Sequence, residues 1–483
     1  MRKRSTKAEF AALSIFLLGA VLVLTNGFSA RIFAQDDKRE VFEQIEPIGD
    51  VIAEVLKSYV REPDLDRAVE GALAGIMSTL DRNSSYVPAE GFQNLQEDTQ
   101  GEFEGIGVHI RMDESNNVVI SYPVPEGPAA KAGIRTGDFI TGIEGVALGE
   151  IVKDATSANA ALQEVSSRIK GPRGTRVALT VTRAVEGTDQ RESLDFTVER
   201  GKIPVQSVLE SRLLEGGIGY VRISDFKKNT SDELRKELES LQDAGMRAMI
   251  LDLRWNPGGL LNASREVCEL FLPKNSLVVS TRGREIAKGS GKFMEEMKLS
   301  TEKHPVVPET MPLLLLVNGG SASSSEIVTG ALQFYQRALV VGEKTFGKGS
   351  VQTIIPLQRP AGAALRLTTA LYYTPANVTI DTVGIKPDVE VVMNEDQQRA
   401  LLEQMYKSYQ EDPEKRNLQD HGRITGDTAD TAAQDLVLER AATILREDTV
   451  WSEIIRKYHR DVSETQVAAV DATQVPAPRS VAK

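Results

Sequence analysis

Met311-Pro-Leu-Leu-Leu-Leu-Val317 runs directly into Asn318-Gly-Gly-Ser-Ala-Ser323-Ser-Ser-Glu326. An apolar run without alternation predicts a strand buried on both faces, and the small-residue turn after it leads into a predicted helix over 324–335. A turn between strand and helix can hold a serine hydroxyl beside free backbone N–H groups, the geometry that acyl transfer uses. A serine-rich turn is also an ordinary helix cap, so the turn alone does not choose between the two. Gly347-Lys348-Gly349 follows 25 residues after Ser323, and a serine with a lysine suggests a hydrolase.

Working outward, strands are predicted over 219–223, 248–253, 313–317 and 338–342, and helices over 232–244, 262–272 and 324–335. The alternation defines an α/β domain. Gly342-x4-Gly347-Lys348 nearly fits a phosphate-binding loop, but position 349 is Gly, so no hydroxyl is available for Mg²⁺. The segment 350–356 also reads as a strand, whereas a phosphate loop must open a helix. Leu251-Asp-Leu-Arg254-Trp-Asn-Pro-Gly258-Gly259 ends a buried strand in a glycine turn that can present a backbone N–H to an oxyanion, with Asp252 and Arg254 expected to fix the loop by pairing. A nucleophilic serine needs a base. The Gly-x-Ser-x-Gly elbow is absent, and His109, His304, His421 and His459 are scattered. A lysine serves if burial and apolar neighbours such as Phe346 lower its pKa; an arginine, always charged, does not.

Ahead of this domain, residues 101–200 are β-rich. Glu102-Phe103-Glu104-Gly105-Ile106-Gly107-Val108 places glycines where N–H groups can converge on a carboxylate. Gly127-Pro-Ala-Ala-Lys-Ala-Gly133-Ile-Arg-Thr-Gly137-Asp138-Phe-Ile predicts a short helix ending at glycine, a tight turn and a strand. Together these residues resemble a PDZ domain. The resemblance implies that the free C-terminus of an extended peptide is captured on the backbone of Gly105, Ile106 and Gly107.

Length and composition set outer bounds. The 483 residues are enough for two to four domains. A net charge of −12 argues against a nucleic-acid binder. No His/Cys cluster points to a metal site, and no organic cofactor is needed. The single Cys268, in an apolar helical setting, reads as a small buried hydrophobe. Arg2-Lys3-Arg4 precedes residues 10–30, which carry no charge and match the ~20 residues of a membrane helix. They are read as an export signal, either cleaved after Ala34 or kept as an inner-membrane anchor. Both place the body in the periplasm or cell envelope.

The motifs around Ser323 and Lys348, with Asp-Leu-Arg-Trp-Asn-Pro-Gly-Gly and Leu-Thr-Thr-Ala-Leu-Tyr-Tyr-Thr-Pro375, resemble the carboxyl-terminal processing, or tail-specific, proteases. The resemblance implies a ClpP/crotonase-like serine protease core, with Ser323 as nucleophile, Lys348 as general base and Gln352 orienting the lysine. It places the oxyanion hole on the backbone N–H of Ser324 with that of Gly258 or Gly259. Substrates are expected to be proteins with a free C-terminus, the enzyme a homo-oligomer, and an adaptor protein possible. Position 324 is Ser where the family commonly has Ala.

The expected organisation is a signal or anchor (1–35), an N-terminal helical region (36–98), a PDZ domain (99–200), an α/β catalytic domain (201–395), a helical C-terminal region (396–460) and a disordered tail (461–483). The rivals are a non-catalytic chaperone or adaptor and a Ser-His-Asp esterase. They separate on two variants. Replacing all four histidines by Gln or Asn is expected to leave peptide cleavage intact, whereas Lys348→Arg is expected to abolish it. A folded quadruple variant without activity, or an active Lys348→Arg enzyme, would remove the lysine as base.

Overall fold

The computed structural model describes residues 43–459 except 114, 125, 186, 187, 189, 284–295, 412–433, 448 and 449. The segments read as an export signal or anchor (1–35) and as a disordered tail (461–483) lie outside these residues. The chain divides into two compact units, up to Arg82 and from Asn83 onward. The first holds helices over 43–58 and Leu65–Ser78, the second of them capped by the Asp64 carboxylate, which accepts from the Arg67 N–H. No helix among the described residues is long and apolar enough to cross a membrane.

The second unit opens with a departure from the expected run of helix to residue 98. Ser85–Val87 is a strand pairing with Ala364–Arg366, and only then does the helix Ala89–Gln100 follow. A β-branched and an aromatic residue beside an open strand edge outweigh the helical pattern around them.

The PDZ sheet runs in the order Val108–Met112, Val118–Pro123, Phe139–Ile143, Arg176–Ala184, Arg191–Glu199, with Val146–Ala147 paired to the third strand. The helix Ala158–Ile169 adds Val165 and Ile169 to its core beside Ile106, Ile120 and Ile140. A ribbon of Glu102–Gly105 against Gly201–Pro204 joins the two ends of the segment. Asp138, buried in the predicted turn, accepts from the Arg135 N–H and from the Arg183 guanidinium at 2.7 and 2.8 Å.

The α/β domain is built on a six-stranded sheet ordered Val208–Leu214, Ile218–Ile223, Ala248–Asp252, Leu313–Val317, Leu339–Gly342, Val389–Glu390. Only the first pair is antiparallel. The apolar runs are explained by coverage on both faces. Met249, Leu251, Leu313, Leu315 and Val317 pack with the helices Thr230–Asp243, Leu261–Glu269 and Ser324–Phe334. Ile250, Leu314, Leu316, Leu339 and Val341 pack on the other side with Leu401 and with helices Leu436–Glu447 and Trp451–Tyr458. Cys268 is buried in the first of these layers, where burial pushes its thiol well above the ordinary range. A second, antiparallel sheet carries Ser350–Pro356, Ala364–Tyr373, Leu277–Gly283 and Met297–Ser300.

One ion cluster ties the C-terminal helices to the sheet. Arg254, 1% exposed, donates to both oxygens of Asp252 and, at 2.7 Å through each of two nitrogens, to Asp435 just before the helix Leu436–Glu447. Tyr220 also donates to Asp252, at 2.8 Å. Burial alone would raise the Asp252 pKa, but the Arg254 charge and hydrogen bonds hold it below the ordinary carboxylate range. The pairing expected of Asp252 and Arg254 is present, and Asp435 is a partner that sequence separation concealed. Arg254→Met would leave two carboxylates without their cation, so we expect a loss of about 3–5 kcal/mol. The denaturant midpoint of the full chain measures it, and an unchanged midpoint would show that the cluster carries no stability.

Candidate active site

Ser323 sits where the strand Leu313–Val317 has turned into the helix Ser324–Phe334, with φ 56 and ψ −114. A left-handed backbone at a non-glycine residue is strained and must be held by its surroundings. The holding group is Glu326, fully buried in the first turn of the helix. Its Oε2 accepts from the Ser323 N–H at 2.8 Å and from the Lys348 N–H at 2.9 Å. Its Oε1 accepts from the Gly347 N–H at 2.7 Å and the Thr345 hydroxyl at 2.6 Å. One carboxylate therefore fixes the serine turn and the lysine loop to each other.

The loop carrying Gly258 is fastened to the same turn. Asn318 Oδ1 accepts from the N–H groups of Trp255 and Gly320, and the Ala322 N–H donates to the Asn256 carbonyl at 3.0 Å. Ser324 and Ser325 donate their hydroxyls across the gap, to the carbonyls of Gly259 (3.0 Å) and Asn256 (2.9 Å). The extra hydroxyl at 324 is thus a pin between loops. Gly258 has φ 100, and a Cβ there would lie 2.6 Å from Ser323 Cβ and 2.8 Å from Ser324 N, so only glycine permits this approach. The Gly258 N–H is taken by Asn256 Oδ1 at 2.9 Å. Those of Gly259 and Ser324 have no partner among the described residues.

Lys348 is half-buried. Its pKa is lowered, first by burial and then by the Arg366 charge, with Glu326 opposing. Phe346, the neighbour expected to desolvate it, is 58% exposed, so the effect comes from the fold around the loop instead. The flanking Gly349 is required because a Cβ there would come within 2.4 Å of the Asp381 N, whose carboxylate accepts the Gly349 N–H at 3.0 Å. Among the described residues no hydrogen bond joins Lys348 Nζ to Ser323 Oγ, and the Gln352 amide donates to Ser350, at 2.7 Å to its hydroxyl. Of the histidines, His109 stacks on Tyr122 and His459 faces Asp388 at 3.4 Å, while His421 lies outside the described residues. No group of residues that could hold a metal occurs among those described.

In the PDZ domain the N–H groups of Ile106 and Gly107 have no partner among the described residues, while their carbonyls accept from Ala129 and Val124. Gly105 lies in the ribbon opposite Gly201. Val108–Met112 is an edge strand with Val108, Ile110 and Met112 half-buried over the core, so a peptide can add to it as a further strand.

Sequence reasoning passed over Glu326 as a functional residue, although Ser323-x-x-Glu326 is a legible capping box. It also gave no role to Arg366, Asp381 or Tyr372, which reach the site from strands and loops paired only in three dimensions.

A strained serine at a helix start, a lysine loop bonded to the same carboxylate and a PDZ domain ahead of them define a serine peptidase that handles peptide tails. Residues 217–391 match Peptidase family S41 and residues 119–183 match the PDZ domain. A carboxy-terminal-processing protease of Bartonella bacilliformis is 37% identical over 407 residues, 83% of this chain and 85% of that protein. A carboxyl-terminal-processing protease of Synechocystis sp. is 35% identical over 407 residues, 81% of this chain and 89% of the relative. Among solved structures, a photosystem II D1 C-terminal processing protease shares 27% identity over 70% of this chain and 85% of its own, with a TM-score of 0.38. The chain belongs to the carboxy-terminal processing proteases of peptidase family S41.

The Glu326 geometry makes a direct prediction. In Glu326→Gln the amide nitrogen faces N–H donors, so two bonds to a charged acceptor are lost, at about 1.5–3 kcal/mol each where they are well formed. We expect kcat to fall by more than tenfold with little change in KM, read by steady-state cleavage of a peptide. Unaltered kcat would show that the serine and lysine loops hold their places without it.

Proposed function

We propose that this carboxy-terminal processing serine protease cleaves by a Ser323/Lys348 dyad, after its PDZ domain has captured the substrate's C-terminus. The observation that carries the dyad is the shared Glu326 carboxylate, which accepts from the backbone N–H of both residues. Neutral Lys348 takes the Ser323 proton as Oγ attacks the scissile carbonyl. The developing oxyanion is met by the N–H groups of Ser324 and Gly259, the two left without partners beside the serine. Gly258 shapes the hole through its close approach, since its own N–H is committed to Asn256. Lys348 then protonates the leaving amine, and water repeats the sequence on the acyl-enzyme. Hydrogen bonds of a dyad commonly close only with substrate present; Gln352 orients the lysine once its amide turns from Ser350.

In the PDZ domain the free N–H groups of Ile106 and Gly107 receive the terminal carboxylate, and the edge strand Val108–Met112 pairs with the residues before it. Arg2, Lys3 and Arg4 ahead of the uncharged 10–30 segment support export to the cell envelope. A fusion of that segment to a reporter active only outside the cytoplasm tests the export.

Two experiments test the catalytic reading. Because a neutral lysine is required, activity should rise with pH through a value below the ~10.4 of a free lysine. Arg366 lowers that value, so Arg366→Gln should move the rise to higher pH, more so at low salt. A shift to lower pH, or none in low salt, would separate Lys348 from the titration. Amidating the C-terminus of a peptide substrate removes charge-assisted bonds and should weaken its capture at least tenfold. Equal capture of acid and amide would remove the PDZ loop from recognition.

A further inference from the structure

The Tyr372 hydroxyl has no role in the chemistry above, yet its setting is unusual. The side chain is 3% exposed, and its buried phenol oxygen makes no well-formed hydrogen bond, with the Ser323 hydroxyl as the polar group it approaches. A buried hydroxyl left unpaired is unfavourable, and a phenylalanine would fill the same space without that cost. The oxygen lies against the Ser323 side chain, with the carboxylates of Glu326 and Asp381 near it. Burial, followed by the charge of Glu326, keeps the phenol protonated far above neutral pH, so it is a standing donor and does not compete with Lys348 as a base.

Its backbone belongs to the lysine side of the site. The Tyr372 N–H donates to the Gly349 carbonyl at 2.9 Å, and the preceding Leu371 pairs with Ser350. Tyr372 is therefore anchored to the residue after the base while its hydroxyl faces the nucleophile.

We propose that Tyr372 is a positioning residue for Ser323, donating its phenol O–H to Oγ as the dyad closes. That bond occupies one lone pair of Oγ and leaves the serine proton as the one directed to Lys348. It also stabilises the charge left on Oγ as its proton passes to Lys348, before attack moves that charge to the carbonyl oxygen. The inference deepens the Ser323/Lys348 reading and rests on it.

The test is Tyr372→Phe, which keeps the ring and removes only the hydroxyl. We expect kcat to fall at least tenfold, KM to stay within twofold, and the melting temperature to stay equal or rise, because a poorly paired buried hydroxyl has been deleted. The pH at which activity rises should not move, since the charges around Lys348 are intact. A kcat within twofold of the parent overturns the proposal. So does a fall in kcat accompanied by a lower melting temperature or a raised KM, which a packing role would produce. Phosphonylation by a small serine-directed reagent, followed by peptide mapping, separates the two levels of inference. Wild-type enzyme that is not labelled at Ser323 defeats the dyad itself. Wild-type label at Ser323, with an unchanged labelling rate in Tyr372→Phe, defeats only the role of Tyr372.

Discussion

The site depends on one buried carboxylate. Glu326 accepts four hydrogen bonds, from Ser323, Thr345, Gly347 and Lys348, and those residues come from two loops on neighbouring strands. A carboxylate taken out of water needs its lone pairs satisfied, and here the donors are the backbone of Ser323, Gly347 and Lys348 with the Thr345 hydroxyl. The same bonds that offset the cost of burying the charge fix the Ser323 turn and the Lys348 loop to each other. The positive φ of Ser323 is tolerated for the same reason: its N–H is fixed from the first turn of its own helix.

Around that carboxylate the parallel sheet supplies the frame. Adjacent strands Ala248–Asp252, Leu313–Val317 and Leu339–Gly342 end on one side, delivering the Gly258 loop, the Ser323 turn and the Lys348 loop in that order. Loops at the carboxyl ends of parallel strands are where such folds place ligands. Arg254 holds the first of these loops to the C-terminal helical region through Asp252 and Asp435, so the covering helices brace the loop that carries Gly258 and Gly259.

Much of this was legible in the sequence, and the reasons are physical. The uninterrupted apolar run gave the strand at 313–317 to the residue, because burial on both faces leaves no polar position to blur its ends, while the half-buried strand at 350–356 was legible from its β-branched residues Val351, Thr353, Ile354 and Ile355. The glycine turn at Gly258-Gly259 announced a tight approach that the backbone does make. What could not be read were contacts made across the fold: Asp435 on Arg254, Arg366 near Lys348, Tyr372 against Ser323. Phe346 misled because adjacency in sequence was taken for adjacency in space, and the side chain points to solvent. The strand at Ser85–Val87 was hidden by helical patterning on both sides and exists because the strand Ala364–Tyr373 offers it an edge.

The most direct test of the account is the site of acylation. A slowly hydrolysed peptide ester ending in a free carboxylate, mixed with the enzyme and quenched in acid, should add one acyl group, mapped by mass spectrometry to Ser323. Ser324 and Ser325, whose hydroxyls are bound to the carbonyls of Gly259 and Asn256, should carry none. Acylation at either of those residues, or elsewhere in the chain, would contradict the assignment of the nucleophile and of the carboxylate that holds it.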